Sequence, residues 1–74
     1  MELRGVGDRW MAGEPVPGVQ FGMREAVEIT GGPRTGERGT VLLLVDVAAE
    51  PVYFVELPVG AVVRVRQSQL CAEE

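Results

Sequence analysis

Val27-Glu28-Ile29-Thr30-Gly31-Gly32-Pro33-Arg34-Thr35-Gly36-Glu37-Arg38-Gly39-Thr40-Val41 decides how this chain folds. Val27 and Ile29 alternate with polar neighbours, the period of a half-buried strand. Gly31-Gly32-Pro33, Gly36 and Gly39 then interrupt any regular element. Glycine reaches positive φ freely and proline fixes its own φ, so the segment predicts a tight loop. Val41 restarts an apolar run. The stretch reads as a strand, a glycine loop and a second strand.

The strand pattern continues to the C-terminal end. Glu25 to Thr30 is expected as the first strand, and Gly39 to Val47 as the second. Val52 to Leu57, rich in β-branched and aromatic residues, reads as a third. Pro58-Val59-Gly60 predicts a tight turn, and Ala61 to Gln67 a fourth strand. Ser68-Gln69-Leu70 suits one 3₁₀ turn, and residues 71–74 a brief last strand. Short strands at this spacing, joined by tight turns, predict an all-β fold in the form of a small barrel.

Residues 1–24 differ. They hold Gly5, Gly7, Gly13, Gly18 and Gly22 with Pro15 and Pro17, and neither helical nor strand periodicity persists. Yet Trp10, Met11, Val16, Val19, Phe21 and Met23 are side chains for which a solvated linker has no use. The expected organisation is an irregular Gly/Pro-rich N-terminal arm over 1–24 that packs on something, followed by a barrel over 25–74.

The spacing Val-x-Ile-x-x-Gly-Pro-x-x-Gly-x-x-Gly-x-Val over 27–41 resembles the KOW motif of SH3-like barrels in ribosomal proteins and transcription elongation factors. Tyr53-x-Val55-x-Leu57, Gly60, Val63-x-Val65 and Leu70 are similar to the second half of such barrels. The resemblance covers about residues 24 to 70. It implies a five-stranded SH3-like barrel and a nucleic-acid- or ribosome-associated role. Arg34 and Thr35 stand where the motif often has an aromatic or apolar residue followed by lysine. That departure weighs against the backbone-binding role usually assigned to the lysine.

Composition bounds the rest. A chain of 74 residues is one domain with a thin stability margin. Hydrophobic content of 46% is ample for a folded core. One cysteine, Cys71, excludes an internal disulfide, and with no histidine there is no credible zinc site. No cofactor is expected. The formal net charge of −4 counts against a free-standing nucleic-acid binder, which relies on neutralising phosphates. All the cationic residues are arginine. No apolar run reaches the ~18–20 residues of a membrane span, and Met1-Glu2-Leu3-Arg4-Gly5 lacks the pattern of a secretory signal. A cytoplasmic location is the expectation.

Strand alternation sorts the side chains into two faces. Val41, Leu43, Val45 and Val47 share one face of the second strand. With Val27, Ile29, Tyr53, Val55, Leu57, Val63, Val65 and Leu70 they are expected to fill the interior. The opposite face should be polar in a barrel that stands alone. Instead it receives Leu42, Leu44, Val52, Phe54 and Val62, edged by Asp46, Glu56, Arg64 and Arg66. Simple hairpins would set Leu44 opposite Phe54 and Phe54 near Arg64, with Asp46, Val52 and Arg66 in one neighbouring row and Leu42, Glu56 and Val62 in another. An exposed apolar patch of that kind marks a contact site. Two coverings are open: the chain's own arm, with Trp10, Phe21 and Met23 as the plug, or another chain.

Catalysis finds little support. No histidine is present to work near neutral pH. Cys71 sits beside an acidic tail that would raise its pKa rather than activate it. The glycine loop fails as a phosphate-binding P-loop, because Glu37 and Arg38 follow Gly36 in place of Lys and Ser or Thr. The expected function is a non-catalytic interaction module, an adaptor or accessory domain. It would bind a protein partner or itself through Leu42, Leu44, Val52, Phe54, Val62 and Arg64. The alternative is a KOW-type module contacting nucleic acid through Arg34, Arg38, Arg64 and Arg66. Against that alternative, Glu37 and the acids of the sheet are expected to pair with these arginines.

Overall fold

The computed structural model describes residues 3–73, with side chains from residue 7 onward. One helix, α1 (Leu3–Met11), precedes five strands: β1 (Ala26–Ile29), β2 (Arg38–Asp46), β3 (Val52–Glu56), β4 (Val62–Arg66) and β5 (Leu70–Ala72). The strands form a single antiparallel sheet in the order β4-β3-β2-β1-β5. This is an all-β architecture with one short helix. Strands β4 and β5 are its two edges, yet only a 3₁₀ turn, Gln67–Gln69, separates them in the chain. The sheet must therefore roll until one end of each edge meets the other. No ladder joins β4 to β5 among the described residues, so the sheet is rolled but open.

The glycine loop explains itself locally. Gly32 and Gly36 sit at φ +85° and +95°, where a Cβ is strained. The Gly36 amide donates to the Ile29 carbonyl at 2.7 Å and the Ile29 amide to the Glu37 carbonyl at 2.8 Å, which closes the loop onto β1. Gly39 has a different reason to be glycine. A Cβ there would lie 2.6 Å from the Glu56 carbonyl oxygen and from Val55 Cγ1. The close approach of β2 to β3 depends on its absence.

Most of the expected interior is buried: Val27, Ile29, Val41, Tyr53, Val55, Leu57, Val65 and Leu70. Strand β2 departs from expectation. Its register against β3 shifts twice, between Val41 and Leu43 and between Leu44 and Asp46. Each shift is a β-bulge, in which two residues of one strand oppose one of the other. The first bulge reverses the alternation beyond Val41. Leu43, expected inside, lies opposite Phe54 and is 41% exposed. Leu44, expected on the outer face, lies opposite the fully buried Tyr53 and packs against the core. Val45 is the extra residue of the second bulge, and Val47 falls beyond the strand; both are only half-buried.

The arm is more ordered than its glycines predict. Residues 3–11 are helical despite Gly5 and Gly7, each of which costs about 1 kcal/mol in a helix. Two features offset that cost. One is a C-terminal stop built on Gly13 at φ +82°. Its amide donates to the Trp10 carbonyl and the Glu14 amide to the Arg9 carbonyl, the paired bonds of a Schellman motif, and Pro15 follows. The other is docking: Trp10 is buried in the core, and its indole N–H donates to the Phe21 carbonyl at 2.7 Å. The Phe21 ring meets Tyr53 edge to face, with centroids 5.7 Å apart.

Gln67 ties the arm to the sheet. Its side-chain amide donates to the Gly18 carbonyl, and its Oε1 accepts from the Gln20 amide and from the Tyr53 hydroxyl. Burial pushes the Tyr53 hydroxyl above its usual pKa, opposed by the Phe21 and Gln20 amides and reinforced by the charge of Glu25. The arm thus plugs the inner face of the sheet. Met23, expected as part of the plug, is 40% exposed instead.

Candidate functional site

With Trp10 and Phe21 spent on the inner face, the outer face of β2, β3 and β4 keeps exposed and half-buried apolar side chains among the described residues. Pairing sorts it into three rows. Leu43, Phe54 and Arg64 form the middle row. Asp46, Val52 and Arg66 form one flanking row, and Thr40, Glu56 and Val62 the other. Directly opposed side chains on one face sit ~4.5–5.5 Å apart at Cβ, so each row is a contact line. Val62 is 49% exposed; Phe54, Val52 and Leu42 are half-buried. The centre is apolar and its rim carries both signs of charge, the make-up of an interface core with a polar edge.

The sequence placed most of these residues correctly and misplaced two. Asp46, Val52 and Arg66 do share a row, and Phe54 does face Arg64. Leu43 takes the position expected for Leu44, and Thr40 the position expected for Leu42 opposite Glu56. Leu42 sits at the first bulge and pairs with no single residue. The unbroken apolar run from Val41 to Val45 holds no polar residue to mark where alternation reverses. Nothing in it signalled Leu43.

The four arginines do not gather. Arg34 lies 3.5 Å from Glu37, and Arg38 lies 3.2 Å from Glu73. Both pairs are open to solvent at their arginines and contribute little to stability. Arg38 borders a shallow groove near the β3–β4 turn, whereas Arg34 and Arg64 border another, between the glycine loop and β4. Arg64 and Arg66 have no ion pair among the described residues. The expectation that Glu37 pairs with a loop arginine holds; the arginines of β4 are left facing solvent.

Other chemistry is sparse. Cys71 is an exposed free thiol on the edge strand β5. No group of three or more potential metal ligands occurs among the described residues, and none of their helices is long and apolar enough to cross a membrane. Comparison with family models, with curated proteins and with solved structures finds no match.

Proposed function

We propose that this chain is a small non-catalytic interaction domain that docks a protein partner, or a second copy of itself, through the outer face of its sheet. The observation that carries this reading is the middle row Leu43–Phe54–Arg64. It is an apolar line with a charged end, exposed at Leu43 and Arg64 and half-buried at Phe54. We read the fold as an SH3-like barrel of the kind that bears KOW motifs. The glycine loop between β1 and β2, and two sheet edges joined by one 3₁₀ turn, support that reading.

The test is the double substitution Leu43→Ser/Phe54→Ser, with Val59→Ser as a control at an exposed turn residue off the patch. Solution mass against concentration reads self-association, and affinity capture reads a partner. The double variant should melt as a folded domain and lose whichever association the wild type shows, while the control keeps it. Unfolding of the double variant would make these residues core. A wild type that associates with nothing would end the proposal.

The nucleic-acid reading keeps one supporting observation, the shared groove of Arg34 and Arg64. Phosphate contacts weaken steeply as salt rises. Binding of RNA or DNA at low salt, lost on raising it, would favour that reading over the first.

A further inference from the structure

We propose that the free edge of β4 takes an extended acidic segment of a protein partner as an added strand. This concerns the edge of the sheet and stands whether or not its face docks anything.

Strand β4 ends the sheet and pairs only with β3. The Gln67 amide donates to the Pro51 carbonyl and the Leu57 amide to the Ala61 carbonyl, both at 2.8 Å. These bonds fix the alternation of the ladder, in which hydrogen-bonded and non-bonded pairs follow one another. The bonded pairs are Pro51 with Gln67, Tyr53 with Val65, Val55 with Val63, and Leu57 with Ala61. By the same alternation, the amides and carbonyls of Val62, Arg64 and Arg66 point away from β3. All three residues are exposed; the backbone groups of Val62 and Arg64 and the amide of Arg66 meet no partner among the described residues, while the Arg66 carbonyl heads the 3₁₀ turn Gln67–Gln69. An edge with that row of unpaired groups is a template for another strand.

Charge selects the occupant. Arg64 and Arg66 lie on the edge itself, and Arg34 stands across the groove that β4 shares with the glycine loop. A second copy pairing β4 with β4 about Arg64 would set Arg64 against Arg64, and like charges directly opposed are destabilising. An acidic side chain in that position is favoured instead. The residues of an added strand that alternate with it would point inward beside Val63 and Val65, where apolar groups fit. The partner chemistry is therefore an extended segment alternating acidic and small apolar residues.

The probe is the peptide acetyl-Val-Glu-Val-Asp-Val-Glu-amide, added to the full chain at low salt. Two N-methylated forms, one for each alternate set of amides, and a form with lysine at the acidic positions complete the series. Amide exchange by NMR reads the edge. The acidic peptide should slow exchange at Val62, Arg64 and Arg66 by about tenfold or more at saturation. Methylation of the set facing β4 should abolish binding, and methylation of the other set should leave it. Arg64→Glu/Arg66→Glu, shown folded by its melt, should weaken binding by about tenfold or more, because opposed charges become like charges.

Any one of the following outcomes would overturn the proposal. Both methylated peptides bind as well as the parent; the lysine peptide binds equally; the acidic peptide does not bind; or the edge amides become protected by self-association alone. Perturbation confined to Leu43 and Phe54 would also overturn it while leaving the face reading intact. Should the arginine variant fail to fold, the peptide series still decides.

Discussion

Along β3, Tyr53 and Val55 are fully buried, in one cluster with Trp10 and Phe21, while Val52 and Phe54, beside them in the chain, lie on the opposite face and are only half-buried. Each face of β3 thus carries a valine and an aromatic residue. The two faces differ in that a separate segment of chain is committed to one of them. The arm brings a tryptophan and a phenylalanine to the inner face, where Gln67 of the sheet side clamps it. Folding therefore accounts for the apolar content inside. It does not account for Leu43, Phe54 and Val62 outside, and that remainder is the ground for the proposal that the outer face binds.

The contrast breaks most easily at Trp10. Trp10→Ala should cost about 3–5 kcal/mol, the range for emptying a large aromatic site in a core. That is comparable with the whole stability of a domain of this size, about 5 kcal/mol. The expected result by urea denaturation is a largely unfolded chain. Phe54→Ser on the other face should cost about 1 kcal/mol or less, as surface changes do. Equal losses at the two positions would mean that the faces are not distinct in energy.

A finer test exchanges neighbours within β2. Leu44→Ser removes a leucine packed on the core and places a hydroxyl there, at an expected cost of about 2–3 kcal/mol. Leu43→Ser acts at an exposed site and should stay within about 0.5 kcal/mol of the wild type. The order of the two midpoints reports the bulge directly. If Leu43→Ser proves the more damaging, β2 alternates without interruption past Val41.

That bulge also marks where the sequence stops being readable. Strand positions followed from alternation, β-branched residues and turn chemistry, and the observed bounds fall close to those expected. Gly32 and Gly36 were legible as loop residues because positive φ leaves few other choices. The outer rows through Val52 and Phe54 were legible because β3 alternates without interruption from Val52 to Glu56. Strand β2 carries Leu42-Leu43-Leu44-Val45, and four apolar residues in succession fit either face in either phase. The helix was hidden by Gly5 and Gly7, although Gly13 followed by Pro15 is a stop signal that requires something to stop. Its stability comes from Trp10 docking, a contact with residues far along the chain that local propensity does not encode.

The inner face also has a titratable group, and the outer face offers a control for it. The folded state holds the Tyr53 hydroxyl above its unfolded pKa, chiefly through burial. Its contribution is complete below the unfolded phenol value, near 10. It declines as pH rises from there through the folded value, because the unfolded chain releases its proton first. Tyr53→Phe should flatten that alkaline decline. At neutral pH it should cost about 1 kcal/mol for the lost hydrogen bond to Gln67. Phe54→Ser should leave the alkaline slope unchanged. A slope that survives Tyr53→Phe would place its origin elsewhere in the molecule.

The smallest effect is expected where the arm turns into the sheet. Arg24 holds φ at 70°, the one non-glycine residue in the left-handed region among those described. Its amide donates to the Val41 carbonyl at 2.7 Å, and the Glu25 carboxylate accepts from the Gly22 amide across the same turn. That conformation costs an L-residue roughly 1–2 kcal/mol. Arg24→Gly relieves it but lets the unfolded chain roam more widely, which takes back about 0.4–1 kcal/mol. The net expectation is a gain of about 0.5 kcal/mol in a thermal melt. Arg24→Val, whose branched Cβ tolerates left-handed backbone poorly, should lose about 1 kcal/mol. A gain from glycine with no change in amide exchange at Trp10 would mean that the turn joins two parts already fixed in place. A gain accompanied by faster exchange at Trp10 would mean that the strained turn itself presses the arm onto the inner face, and that the covering of that face is held from the hinge as well as from the core.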